Sequence, residues 1–184
     1  MITIKDKTFV PFIPADAIQE RIQEIAKQIN QEYADKQPLI VVVLNGAFLF
    51  AADLVKHLTI PCEITFIRVA SYQATESSGQ LKEILGLNES IEGRDLIIVE
   101  DIVDTGLTLR QVCAQLREKS PASLSIATLL FKPTALKETL DLRYVGFEIE
   151  NRFVLGYGLD YDGLGRNTQD IFVLSEELVA RSEE

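Results

Sequence analysis

The sequence predicts an α/β fold with a mostly parallel central sheet flanked by helices. Residues 39–44 are a continuous run of apolar, mostly branched residues, and 96–100 and 123–131 are largely apolar, as expected of strands buried on both faces. Segments of helical spacing alternate with these runs. No internal repeat or low-complexity linker interrupts the alternation, so one domain over residues 1–184 is expected.

Ile18, Ile22, Ile25 and Ile29 recur at helical spacing among Glu, Gln and Lys, in a helix entered at residues 14–16. Gly46 ends the apolar run 39–44, and a helical pattern resumes over 47–57. Residues 63–70 read as a strand, and the polar 71–80, with Tyr72 as its one aromatic, as a loop or flexible hairpin. A strand over 96–100 precedes a helix over 107–119, and strands follow at 123–131 and 144–149. Residues 153–159 mix glycine with aromatics and are expected to close the sheet region. Parallel sheets bind ligands beyond the C-terminal ends of their strands. Leu44-Asn45-Gly46, residues 100–108 and Lys132 all fall at such ends, so three segments should converge on one rim.

The balance of 18 basic against 28 acidic groups, net −10, argues against nucleic acid as the main partner. Any anionic ligand must find positive potential locally, from helix N-termini, backbone N–H groups, a metal ion or a few placed cations. Cys62 and Cys113 lie in apolar contexts with no metal-type spacing and read as buried free thiols. His57 reads as a surface residue closing a helix, where a cation suits the dipole. Neither a signal-peptide pattern nor a stretch long enough to span a bilayer is present, so a cytoplasmic protein without membrane partners is expected.

The strongest chemical signal is the run 96–109, an apolar strand that ends in adjacent Glu100 and Asp101, then Asp104, then Thr105-Gly106-Leu107-Thr108. Clustered carboxylates repel, and on a buried strand they call for a cation. The small-residue turn before a helix can present backbone N–H groups and hydroxyls to a phosphate. Taken alone, Asp104 or Thr105 could equally cap the helix. Joined to Glu100 and Asp101, the turn reads as a site for a phosphorylated, metal-bound ligand.

This segment resembles the signature of the type I phosphoribosyltransferases, which bind phosphoribosyl pyrophosphate (PRPP). More narrowly, the chain is similar to the hypoxanthine-guanine branch of that family over roughly residues 40–174. Leu44-Asn45-Gly46-Ala47, the loop from Ser71-Tyr72 to Gly79, Lys132-Pro133, residues 145–149 and residues 153–161 carry the likeness. It implies the family's fold, with a small hood built from the termini and a lid loop at about 71–81 that begins at Ser71 and Tyr72. It implies transfer of phosphoribosyl from PRPP to a 6-oxopurine base, giving a nucleoside monophosphate and pyrophosphate.

By that resemblance Glu100 and Asp101 would hold the ribose hydroxyls and share Mg²⁺. Asp104 would act as the base near N7 of the purine. Thr105, Gly106, Leu107 and Thr108 would cradle the 5′-phosphate. Asn45, Gly46 and Arg166 would face pyrophosphate. Lys132 would contact the purine O6, Phe153 would stack on its face, and Val154 would meet the exocyclic position. Asp160 would line the purine site and help bind a second Mg²⁺. The family's usual assembly implies a homodimer or homotetramer. Relatives usually carry a basic residue where this chain has Asn45, and often Lys where it has Leu107. Two other readings remain: a regulatory PRPP- or nucleotide-binding protein without transferase activity, and a xanthine-preferring transferase.

Overall fold

The computed structural model describes residues 1–70 and 82–175. The expected lid, with Ser71 and Tyr72, lies outside the described residues. In chain order the elements are β1 (Ile2–Ile4), β2 (Lys7–Ile13), α1 (Ala15–Glu32), β3 (Leu39–Leu44), α2 (Phe48–Lys56), β4 (Glu63–Ala70) and β5 (Lys82–Leu85). There follow β6 (Asp95–Val103), α3 (Leu107–Glu118), β7 (Ser123–Phe131), β8 (Leu142–Glu148), β9 (Val154–Leu155) and β10 (Ile171–Leu174).

The main sheet has the order β5-β4-β3-β6-β7-β8. The strands from β4 to β8 in that order run parallel, and β5 adds an antiparallel edge. Alternation of side chains along β3 explains why its sequence shows no polar period. Ile40 and Val42 enter the core under α1 and α2, with Ile18, Ile22, Ile25, Phe50 and Leu54. Leu39, Val41 and Val43 enter the core under α3, with Leu109, Val112, Cys113 and Leu116. From β3 the chain builds outward through β4 and β5; from β6 it builds the other way through β7 and β8. The strand order therefore reverses between β3 and β6, and the crevice beyond their C-terminal ends is where such sheets hold ligands.

Two of the expected segments differ from the reading of the sequence, and β1, β2, β5 and β10 carried no expectation. The strand expected over 96–100 extends through Val103, because Glu100, Ile102 and Val103 keep pairing with Thr128, Leu130 and Phe131 of β7. On its other side the pairing with β3 stops at Val42–Val99. Glu100 and Asp101 thus sit within the strand, where its β3 side falls open. Residues 153–159 do not close the main sheet. Val154 and Leu155 pair antiparallel with Val173 and Phe172 in a second sheet of order β1-β2-β10-β9. This hood has its own small core of Phe9, Leu155 and Phe172, and it joins segments from both ends of the chain, as the resemblance implied.

Candidate active site

The crevice is built by close backbone contacts. After β3 the Leu44–Asn45 peptide is cis, and Gly46 comes to rest under Asp101. A Cβ at Gly46 would stand 1.6 Å from Asp101 Oδ2. One at Gly158 would stand 2.1 Å from the Gly46 carbonyl oxygen. Glycine is required at both positions by contact, and at Gly158 also by a φ of +99°. The loop after β3 is thereby wedged between β6 and the turn that follows β9.

Successive residues of a strand face opposite ways, and the two acids divide accordingly. Glu100 lines a cavity of about 120 Å³ with Asp104, Thr105, Gly106 and Thr108. Asp101 lines a neighbouring cavity of about 280 Å³ with Asp104, Lys132, Phe153, Val154, Leu159 and Asp160. Ile102 and Asp104 border both. Burial, reinforced by the adjacent Asp101 charge, pushes the Glu100 carboxyl well above the usual carboxylate range. Burial also raises Asp101, against the pull of its hydrogen bond with Glu100, the Ile102 N–H and the Arg166 charge. Two carboxylates that resist ionisation in each other's company are hard oxygen donors suited to Mg²⁺. Among the described residues no cluster of three or more His, Cys, Asp or Glu forms a self-sufficient cage. That donor set fits an ion completed by substrate oxygens and water.

The smaller cavity ends on the N-terminus of α3. Its cap is Gly106, at φ +77°, with no side-chain cap hydrogen bond. Asp104 points elsewhere, and Thr105 Oγ1 reaches the Leu107 N–H only at 3.5 Å. Side-chain capping of this turn is thus confined to that one long bond, and the N–H groups after Leu107 in the first turn are left for an anion. The Leu107 side chain is exposed and brings no charge.

In the larger cavity the Lys132 ammonium donates to Asp104 Oδ2 at 2.9 Å. Lys132 is 7% exposed, so its ammonium is buried against Asp104 rather than solvated. Phe153 is 43% exposed, braced edge-on by Tyr161 with centroids 5.9 Å apart. The Lys7 ammonium lies 5.5 Å from the Phe153 centroid and 4.5 Å from that of Tyr161. Asp160 accepts the Gly163 N–H at 2.7 Å and pairs with Arg166 at 2.6 Å. Arg166 also donates to the Gly158 carbonyl at 2.5 Å. Asn45 is exposed on the loop beside Gly46.

The structure thus gathers Glu100, Asp101, Asp104, Thr105, Gly106, Thr108, Lys132, Phe153, Val154 and Asp160 around two adjoining cavities, with Gly46 and Arg166 at their edge. Lys7 was missed from sequence. It shares a strand face with buried Phe9, a signal available only once β2 is recognised. Both cysteines are free; Cys113 is buried as expected but Cys62 only half-buried, and desolvation raises both thiols, Cys113 to about 11. No helix among the described residues is long and apolar enough to cross a membrane.

The match to known proteins agrees with this geometry. The phosphoribosyl transferase domain matches residues 14–162, and the chain belongs to that family. A hypoxanthine-guanine phosphoribosyltransferase of Bacillus subtilis (strain 168) is 44% identical over 163 residues, which cover 88% of this chain and 91% of that protein. A hypoxanthine-guanine-xanthine phosphoribosyltransferase of Tritrichomonas foetus is 42% identical, over 89% of this chain and 90% of that one. Among solved structures, a Trypanosoma cruzi hypoxanthine phosphoribosyltransferase variant complexed with the product IMP superposes with a TM-score of 0.87. It is 36% identical, over 100% of this chain and 98% of that one.

Proposed function

We propose that this chain is a purine-salvage enzyme that transfers the 5-phosphoribosyl group of PRPP to N9 of hypoxanthine or guanine. The observation that carries the reading is the pair of adjoining cavities sharing Asp104, one ending on the N–H groups at the start of α3 and the other on buried Lys132 and exposed Phe153. A phosphate monoester fits the first, a planar base with a carbonyl acceptor fits the second, and the ribose bridges them beside Glu100 and Asp101.

In the reaction the purine N9 forms a bond to C1′ while the bond from C1′ to the pyrophosphate oxygen breaks and pyrophosphate leaves with its electron pair. The purine gives up a proton, and Asp104 is placed to accept it near N7. Without purine, Lys132 and Asp104 satisfy each other. When the base arrives, Lys132 can turn a donor to O6. A 6-amino base would leave that donor facing another donor, and a buried unpaired polar group costs about 1–3 kcal/mol. With Mg²⁺ bound, which favours their ionised form, Glu100 and Asp101 would place negative charge beside the ribose, where positive charge develops as the leaving group departs. Mg²⁺ bound at Glu100 and Asp101, and at Asp160 with pyrophosphate, would supply neutralising charge for PRPP and its leaving group. Arg166 and the backbone of residues 45–47 would hold the pyrophosphate.

The test is direct. Purified protein with Mg²⁺ and PRPP is offered hypoxanthine, guanine, xanthine and adenine in turn, and the nucleotide product is measured. Turnover with hypoxanthine or guanine and none with adenine is expected. No turnover with any base would overturn the reading, and a preference for xanthine would reassign the substrate.

A further inference from the structure

One network lies outside both cavities and still bears on them. Tyr157 sits between Gly156 and Gly158 with φ +47°, a backbone region that a bulky residue rarely occupies. Its ring is 4% exposed. Its hydroxyl donates to Asp53 Oδ2 at 2.6 Å. The same carboxylate accepts from Gln19 Nε2 at 2.8 Å and Lys56 Nζ at 2.7 Å. Burial opposes the charge on Asp53, but the hydrogen bonds from Lys56, Tyr157 and Gln19 outweigh it and hold the carboxyl below its ordinary pKa.

Asp53 is on α2, which begins directly after the loop that contains Gly46. Tyr157 is bonded to Gly158, whose Cα abuts the Gly46 carbonyl and whose own carbonyl receives Arg166. The Tyr157 and Gly158 N–H groups bond Thr168 and Arg166 carbonyls at 3.1 and 2.9 Å. Both sides of the proposed pyrophosphate site, the loop 45–47 on one and Arg166 with Asp160 on the other, therefore hang on the same anchor.

We infer that Tyr157 and Asp53 are positioning residues that set the spacing between the loop 45–47 and Arg166, and so tune pyrophosphate and PRPP binding without touching either. The inference rests on the transferase reading, and it predicts a selective defect. Tyr157→Phe keeps the ring and removes the hydrogen bond. It should raise the KM for PRPP, and for pyrophosphate in the reverse reaction, about fivefold or more, while the KM for hypoxanthine changes less than about twofold. Asp53→Asn should behave alike, and the double variant should be little worse than either single one, because the two act as a unit. Unchanged KM values would overturn the inference, as would PRPP and hypoxanthine values rising together, or fully additive effects. Calorimetric binding of inorganic pyrophosphate with Mg²⁺ separates this from the function itself. A wild-type protein without turnover that binds pyrophosphate more tightly than Tyr157→Phe would sink the transferase reading and keep this one. Equal binding by both, or none by the wild type, would overturn the positioning role of Tyr157 and Asp53.

Discussion

Asp104 carries the most at the scale of single residues, because it borders both cavities and holds the one lysine buried among the described residues. Asp104→Asn keeps the shape and loses the proton acceptor, so kcat should fall about 100-fold or more while PRPP affinity stays near wild type. Stopped or steady-state assays at saturating PRPP check this, and a near-wild-type rate would remove Asp104 from its role. Glu100 makes the opposite trade. Its folded pKa is raised, so the folded chain keeps a proton that the unfolded chain gives up as pH climbs past the ordinary value. The acid form is the stable one, and the cost grows with pH. Glu100→Gln should therefore melt at a higher temperature than the ligand-free wild type at pH 8, with reduced activity. The gap should close as pH falls toward the ordinary glutamate value of 4.5; a gap independent of pH would refute it. Asn45→Lys adds a positive charge on an exposed loop residue beside the proposed pyrophosphate site, and should lower the KM for PRPP. No change would show that the loop backbone suffices. Of these residues the sequence displayed the acids plainly. The Lys132–Asp104 pair was not legible, since 28 residues separate the two and only the sheet brings them to 2.9 Å.

At the level of elements, the turn into α3 makes the clearest demand. Gly106 is left-handed, and a Cβ there would meet Leu136 Cδ1 at 2.9 Å and Leu140 Cδ1 at 3.0 Å. Gly106→Ala combines left-handed strain, about 1–2 kcal/mol, with displaced leucines. Urea unfolding should show a loss of at least that size, and PRPP binding should weaken as the N–H groups turn away. The strands that bear the site were readable for a physical reason: burial on both faces leaves β3 as an unbroken apolar run and keeps residues 96–99 of β6 and 126–131 of β7 largely apolar. The far end of β6 was not, because Glu100 and Asp101 break the run while the ladder to β7 continues beneath them. β2 hides behind Pro11, which sits opposite the register shift at Ile171 and Phe172, a place where a strand tolerates proline. β9 is two residues long and has no period to read.

Taken whole, the molecule divides its site between two sheets. The main sheet delivers the acids, the turn into α3 and Lys132; the hood delivers Phe153 and Val154 beside its own core. Phe9 is fully buried, with its ring 6.1 Å from Phe153 and 6.2 Å from Tyr161. Phe9→Ala should cost about 3–5 kcal/mol locally. It should raise the KM for hypoxanthine more than that for PRPP, with hydrogen exchange quickening in β2, β9 and β10 before the main sheet. Uniform quickening would show that the two sheets open as one. The resemblance pointed to a hood from the termini; propensity could not, since its pairing joins residues 9–13 to 171–174 across most of the chain. That pairing also sets an order of events on the ribosome. β2 emerges early and has only β1 beside it until Ile171–Leu174 have been made. At about 5–20 residues per second, the wait is on the order of 10 s. Through that interval a growing chain can assemble β3, β6 and the turn into α3, and so offer a perch for phosphate, while the roof over the purine is still unbuilt. Nascent chains should then compete for PRPP before they can use it.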